Sequence, residues 1–320
     1  MDQATLGDKT VVPEVPSPFL TGTTIQYAFD STSLGYLKRC PRLYYYTVLC
    51  GWTSVEDSVD LRFGIEYHRA LQEYDVLKST GLKHDDAVRG ALRSLLTRAH
   101  EWPFDHKFKT KEALIRTCLW YMEKFRDDPA KTYILENGKP AVELSFRFDL
   151  DWGPDAATDQ PYMLCGHLDK VVVYNDELFD LDRKTTTKTL SDYYFAQFEP
   201  DNQMTLYSLA AKVILDAPIK GVIIDAAQVL TESSRFVRNF TYRTEGQLDE
   251  WIKDLEYWFS MAEYYAEQNY WPQNDTACDK YGGCRFRQIC SKDPGVRQRY
   301  LEAKYVQLPK EERWNPLKPR

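Results

Sequence analysis

The chain has 320 residues, 43% hydrophobic and 28% charged, with a formal net charge of −7 and a pI near 5.4. That composition supports a sizeable buried core, and the absence of any apolar run of about eighteen residues predicts no membrane-spanning helix. The acidic balance argues against an indiscriminate nucleic-acid binder, although not against a carboxylate metal site with basic groups gathered around it.

Residues 1–30 read as a flexible, proline-containing lead-in. Its opening, "MDQATLGDKTVVPEVPSPF", lacks the basic and apolar regions of a signal peptide. Residues 31–130 form a helical region. Spacing predicts helices over 33–49, 58–79, 84–100 and 110–127, the second with Leu61, Ile65, His68, Leu71 and Leu77 near one stripe. Asp127-Asp128-Pro129 stops the fourth.

The period changes in a core spanning 131–245. "AVELSFRFDL" (141–150) alternates as a strand, and "YMLCGHLDKVVVY" (162–174) and "ELFDLDRKT" (177–185) follow, joined by an Asn175-Asp176 hairpin turn. A helix is expected near 200–215, then two strands in "GVIIDAAQVL" and "RFVRNFTYR". Residues 246–295 hold a long amphipathic helix, with Leu248, Trp251, Leu255, Trp258 and Ala262 on its face, and a cysteine-rich segment. A polar tail covers 296–320. There is no internal repeat. The order gives an α/β (α+β) fold: a mixed sheet flanked by helices, with a helical N-terminal subdomain and a C-terminal cysteine module.

The chemistry concentrates in "GHLDK" and "DLDRKTTT". Asp180, Asp182 and Lys184 alternate onto one strand face, with Phe179 and Leu181 on the other. If the hairpin forms, Asp169 and Asp182 approach from neighbouring strands and make a hard-oxygen site suited to Mg²⁺ or Mn²⁺. Lys184 shares that face and can orient water or stabilise developing negative charge. The basic clusters Lys107/Lys109/Lys111 and Arg183/Lys184/Lys188 otherwise read as solvated surface.

Asp169, then Asp182-Arg183-Lys184, then "QMTLY" resembles the PD-(D/E)XK nuclease superfamily, and within it the RecB-like exonuclease branch. The helix carrying "FGIEYHRAL" is similar to that branch's histidine helix. The resemblance implies a restriction-endonuclease-like core. It implies His68, Asp169 and Asp182 as metal ligands, Lys184 as the water-assisting group, and Gln203 and Tyr207 near DNA. Glu143 matches a glutamate of the branch. Lys188 and the threonines at 185–187 would bind flanking phosphates.

Seven cysteines without a secretory signal suggest a reducing compartment and make metal binding the leading use of a cluster. Cys278, Cys284 and Cys290 follow a C-x5-C-x5-C spacing, and Cys40 in "RCPRLYYY" supplies a fourth thiol 238 residues upstream of Cys278. Four thiolates suit either a 4Fe–4S cluster or zinc. The layout resembles the iron–sulfur staple of AddB-type and CRISPR-associated exonucleases, which implies a structural 4Fe–4S cluster. The wider spacing before Cys284 departs from the CRISPR-associated group and weakens the match at Cys278. Cys50, Cys118 and Cys165 read as core residues.

Taken together, the resemblance implies a metal-dependent DNA exonuclease. It would act on ends or single strands in recombination, repair or replication, in the cytoplasm of a bacterium or phage-infected host. No Walker-type loop is present, so any helicase or recombination protein would be a separate partner. Ring-forming relatives make a homo-oligomer one expected state. The competing readings are a DNA-end-binding module on the same fold and a zinc-stapled RNA-processing nuclease.

Overall fold

A computed structural model describes residues 15–55, 58–155, 159–279 and 283–318; residues 1–14 of the expected lead-in lie outside them, while 15–30 are described and end in a short strand on the central sheet. The strands are β1 (Ala28–Phe29), β2 (Trp52–Ser54), β3 (Lys131–Thr132), β4 (Val142–Asp149), β5 (Met163–Tyr174), β6 (Glu177–Thr186), β7 (Ile219–Val229), β8 (Ser234–Thr241) and β9 (Tyr305–Gln307). The helices are α1 (Ser31–Arg39), α2 (Pro41–Tyr44), α3 (Val59–Ser79), α4 (His84–Arg98), α5 (Lys111–Lys124), α6 (Asp192–Phe195), α7 (Asn202–Leu215), α8 (Glu245–Glu267), α9 (Arg287–Cys290) and α10 (Arg297–Lys304).

The central sheet is mixed, as expected, and ordered β1-β5-β6-β7-β8, with β3 and β4 also on β5. β5 and β6 are joined by the two-residue turn read from sequence. Asn175 and Asp176 both take positive φ, 50° and 62°, the geometry a tight hairpin needs. The β5–β6 ladder runs only from Tyr174–Glu177 to Val171–Asp180. Beyond that pair the strands part, while β6 continues alongside β7 in parallel to Thr186. The parting of β5 from β6 places the site.

Helices cover both faces. One core gathers Leu34, Leu206, Ala210, Leu255 and Phe259 against Leu164, Leu168 and Ile224. The other packs α3, α4 and α5 onto Ala227, Val229 and Phe236. β7 is buried on both sides from Gly221 to Val229, which its near-continuous apolar run "GVIIDAAQV" requires of a central strand.

Three expectations need correction. The helix read over 33–49 breaks at Cys40, which is extended at φ −166° and ψ 112°. Cys40 precedes Pro41, whose ring disfavours helical backbone in the residue before it. The buried stripe of α3 is Phe63, Tyr67, Ala70, Leu71 and Tyr74, whereas Leu61 and Ile65 are 65% and 38% exposed. The aromatic set has the same helical period and buries more area. Lys109 and Arg183 are buried rather than solvated. Lys109 pairs with Asp60 at 2.7 Å and Arg183 with Asp75.

Polar composition also conceals structure after residue 296. α10 leads into β9, which pairs antiparallel with β2, and Leu317 is buried beside Cys165.

Gly166 faces Phe146 across the β4–β5 ladder, and a methyl there would lie 2.8 Å from the ring. Gly166→Ala is therefore expected to cost about 1–3 kcal/mol through overpacking. Urea unfolding should show a lower midpoint with an unchanged slope.

Candidate active site

The parted ends of β5 and β6 form one wall of the site. Asp169 leaves β5 one residue before Lys170 and two before the ladder resumes. Its Oδ2 accepts a hydrogen bond from the Arg183 backbone N–H at 2.9 Å. A carboxylate thus satisfies a strand donor that β5 backbone no longer reaches. Asp182 and Lys184 stand on β6, with Lys184 Nζ 2.6 Å from Asp182 Oδ2.

Two further elements complete the wall. α3 brings His68 Nδ1 to 3.2 Å from Asp169 Oδ2. α7 presents Gln203, whose Oε1 accepts from Lys184 Nζ at 2.8 Å and whose Nε2 donates to the Tyr207 hydroxyl at 3.0 Å. Gln203 and Tyr207 are four residues apart, so one helical turn aligns them. Lys184 is therefore held from two sides, by Asp182 and by a glutamine itself braced by a tyrosine.

Glu143 enters from β4. Val142 pairs with Lys170 and Leu144 with Leu168, which sets Glu143 opposite Asp169. Its φ is 51°, a left-handed conformation uncommon for a non-glycine residue and concentrated at functional sites. Ligand atoms of His68, Glu143 and Asp169 lie within 4.8 Å of one another. Oxygen and nitrogen ligands about 2.0–2.6 Å from one ion can bridge that spread. Asp182, an expected ligand, lies outside that group of three, with its Oδ2 beside Lys184 Nζ. Lys188 is exposed just past the end of β6, its backbone N–H donating to the Thr186 hydroxyl at 3.0 Å.

The charges are strongly coupled. Burial would lower His68, but Asp169 more than offsets this and holds the imidazole above its ordinary value. Burial would raise Asp169, but His68 and Lys184 hold its carboxyl well below the usual range. Burial pushes Asp182 up to about 6, with Asp169 adding to the rise and Lys184 opposing it. Burial, Asp182 and Asp169 together push Asp180 far above the carboxylate range. The three acids are close enough in one buried pocket to oppose one another's ionisation.

Behind this wall, Asp75 on α3 meets Lys170 Nζ at 2.8 Å and the Arg183 guanidinium, all three buried. This trio was not singled out from sequence. Its signal was Asp75 lying seven residues after His68, on the same helix face.

The second constellation also assembles. Cys40, Cys278, Cys284 and Cys290 line one small cavity, with Leu43, Ala277 and Phe286 around them. Cys40 Sγ accepts from the Asn274 N–H at 3.3 Å. Burial pushes the Cys290 thiol up; Arg42 opposes this, and Cys284 and Cys40 add to it. Gly283, with φ 103°, carries the chain into Cys284; Gly282 lies outside the described residues. Cys118 and Cys165 are core residues, as expected.

The sequence model of the PD-(D/E)XK nuclease superfamily matches residues 31–291. The chain belongs to this superfamily. The matched span takes in every site residue described above, from Cys40 to Cys290. No curated protein matches the chain. Among solved structures, one described as "Putative exonuclease" from Eubacterium rectale is 13% identical, with a TM-score of 0.47, covering 79% of this chain and 86% of that one. As a PD-(D/E)XK nuclease, the chain has a mixed α/β core flanked by helices and acts on nucleic acid. Among the described residues, no helix is long and apolar enough to cross a membrane.

Proposed function

We propose that this PD-(D/E)XK chain is a metal-dependent deoxyribonuclease of the RecB-like type. It would be an exonuclease that shortens DNA from ends or single strands in recombination, repair or replication. One observation carries the reading: Asp169, Asp182 and Lys184 from two diverging strands share a site with His68 and Gln203.

The donor set of two carboxylates and an imidazole fits Mg²⁺ or Mn²⁺. His68, Glu143 and Asp169 would hold the ion, with Asp182 beside it. When bound, such an ion supplies a water of lowered pKa and neutralises phosphate charge. The chain's own residues do the rest. Lys184 presents its ammonium toward the phosphate, its reach fixed by Asp182 and Gln203. As water oxygen bonds to phosphorus and the P–O bond to the leaving sugar breaks, charge builds on the phosphate oxygens, and a fixed cation lowers that barrier. The threonines at 185–187 and Lys188 would bind flanking phosphates.

The four cysteines fit a 4Fe–4S cluster held by Cys40, Cys278, Cys284 and Cys290. The supporting observation is the convergence of four thiols from both ends of the chain on one cavity. Its role is structural.

The test is cleavage of end-labelled single- and double-stranded DNA with Mn²⁺, with EDTA, and by Asp169→Asn. Shortening from the ends that needs both metal and Asp169 is the expected result. Cleavage indifferent to EDTA, or tight DNA binding with no cleavage, would sink it.

A further inference from the structure

His68 and Asp75 stand two turns apart on one face of α3, offset by only about 20°. His68 meets Asp169 at 3.2 Å. Asp75 is 5% exposed and accepts from Lys170 Nζ at 2.8 Å and from the Arg183 guanidinium. Lys170 follows Asp169 in β5; Arg183 sits between Asp182 and Lys184 in β6. Side chains alternate along a strand, so the two cations point to Asp75 while their chain neighbours point into the site. Arg183 also gives its own N–H to Asp169.

The β5–β6 ladder has stopped at Val171–Asp180, so no backbone bond in that ladder fixes the spacing of the strands at this level. Asp75 bridges them instead. The guanidinium also lies 5.7 Å over the Tyr121 ring, and Arg183 is paired in register with Asp225 of β7. Asp225 accepts from Tyr121 and from Arg238 at 3.1 Å, and Arg238 reaches Asp128 at 2.7 Å. The frame is thus anchored to α5 and β8, away from the site.

We propose that Asp75 is a positioning residue: by bridging Lys170 and Arg183 it sets the separation of β5 and β6 and the height of α3, and so the distance from His68 to Asp169. This rests on the reading of His68 and Asp169 as metal ligands. A carboxylate shared by two buried cations is suited to the task because it is rigid and directional. Supporting contacts of this kind typically change metal affinity by about 10–100-fold.

The experiment is Mn²⁺ binding by calorimetry to the full chain, comparing wild type, Asp75→Asn, Asp75→Glu, His68→Ala and the two double variants with His68→Ala. Asp75→Asn leaves two buried cations short of a carboxylate and can fail to fold. Asp75→Glu keeps the charge but displaces it by one methylene. The expected result is binding weakened at least about 10-fold by either Asp75 change, and by less than about twofold once His68 is alanine, since coupled residues are non-additive. Wild-type affinity in a folded Asp75 variant would overturn the proposal. So would equal losses with and without His68, or failure of both variants to fold, which would assign Asp75 to stability alone. Wild type that binds no Mn²⁺ would overturn the metal-site reading beneath it as well.

Discussion

Lys184→Ala is expected to slow phosphodiester cleavage by at least about 100-fold while leaving the protein folded. The rate loss follows from geometry. Lys184 is the cation of the D-x-K strand, held at 2.6 Å by Asp182 and 2.8 Å by Gln203, so its charge is in place before the phosphate arrives. Removing one pre-placed donor from a developing oxyanion typically costs about 10²–10³ in rate. The fold should survive because the Lys184 side chain is 25% exposed. Asp182, already pushed up to about 6, can take up a proton rather than remain charged without its partner. Single-turnover cleavage with saturating Mn²⁺, alongside circular dichroism, checks both halves. Full activity in the folded variant would remove Lys184 from the chemistry.

Cys40→Ser is expected to strip the colour and iron from an anaerobic preparation and to lower thermal stability. Cys40 belongs to one end of the chain, and Cys278, Cys284 and Cys290 to the other, yet all four line one cavity. Structural metal centres contribute about 10 kcal/mol or more to folding in small modules. Even about 3 kcal/mol of that, at about 2–4 °C per kcal/mol, lowers the midpoint by about 6–12 °C. Metal analysis with a visible absorbance scan and a melt reads the result. Colourless wild type containing zinc would replace the iron–sulfur proposal with a zinc staple and leave the nuclease reading intact. Metal-free wild type would sink both metals.

How much of this was legible depends on which forces set each feature. The 175–176 hairpin and the alternation through Asp182 and Lys184 were readable because turn chemistry and strand period are local. So was the pairing of Gln203 with Tyr207, a matter of one helical turn. The break at Cys40 was also local, written in Pro41, but helical spacing on either side masked it. The face of α3 was not local. Leu61 and Ile65 offered an apolar stripe as regular as that of Phe63, Tyr67 and Tyr74, and only packing against α4 and α5 chose between them. Arg183 read as solvated because nothing near it in sequence announces Asp75, 108 residues away. Glu143 matched a pattern, but its positive φ and its place opposite Asp169 emerge only when β4 pairs with β5.

The pairing of β2 with β9 imposes an order on biosynthesis. Trp52 leaves the ribosome early, but its ladder partner is Gln307, so this two-stranded clasp must wait for some 250 residues to be made. Cys40 likewise waits for Cys290. The sheet strands β5 to β8 need nothing beyond Thr241 to pair and can form while the far arm is still being translated. Contacts this distant in sequence close late and slowly. The nascent protein would therefore spend an interval with its sheet assembled and its thiols apart, exposed to oxidants and to chaperones.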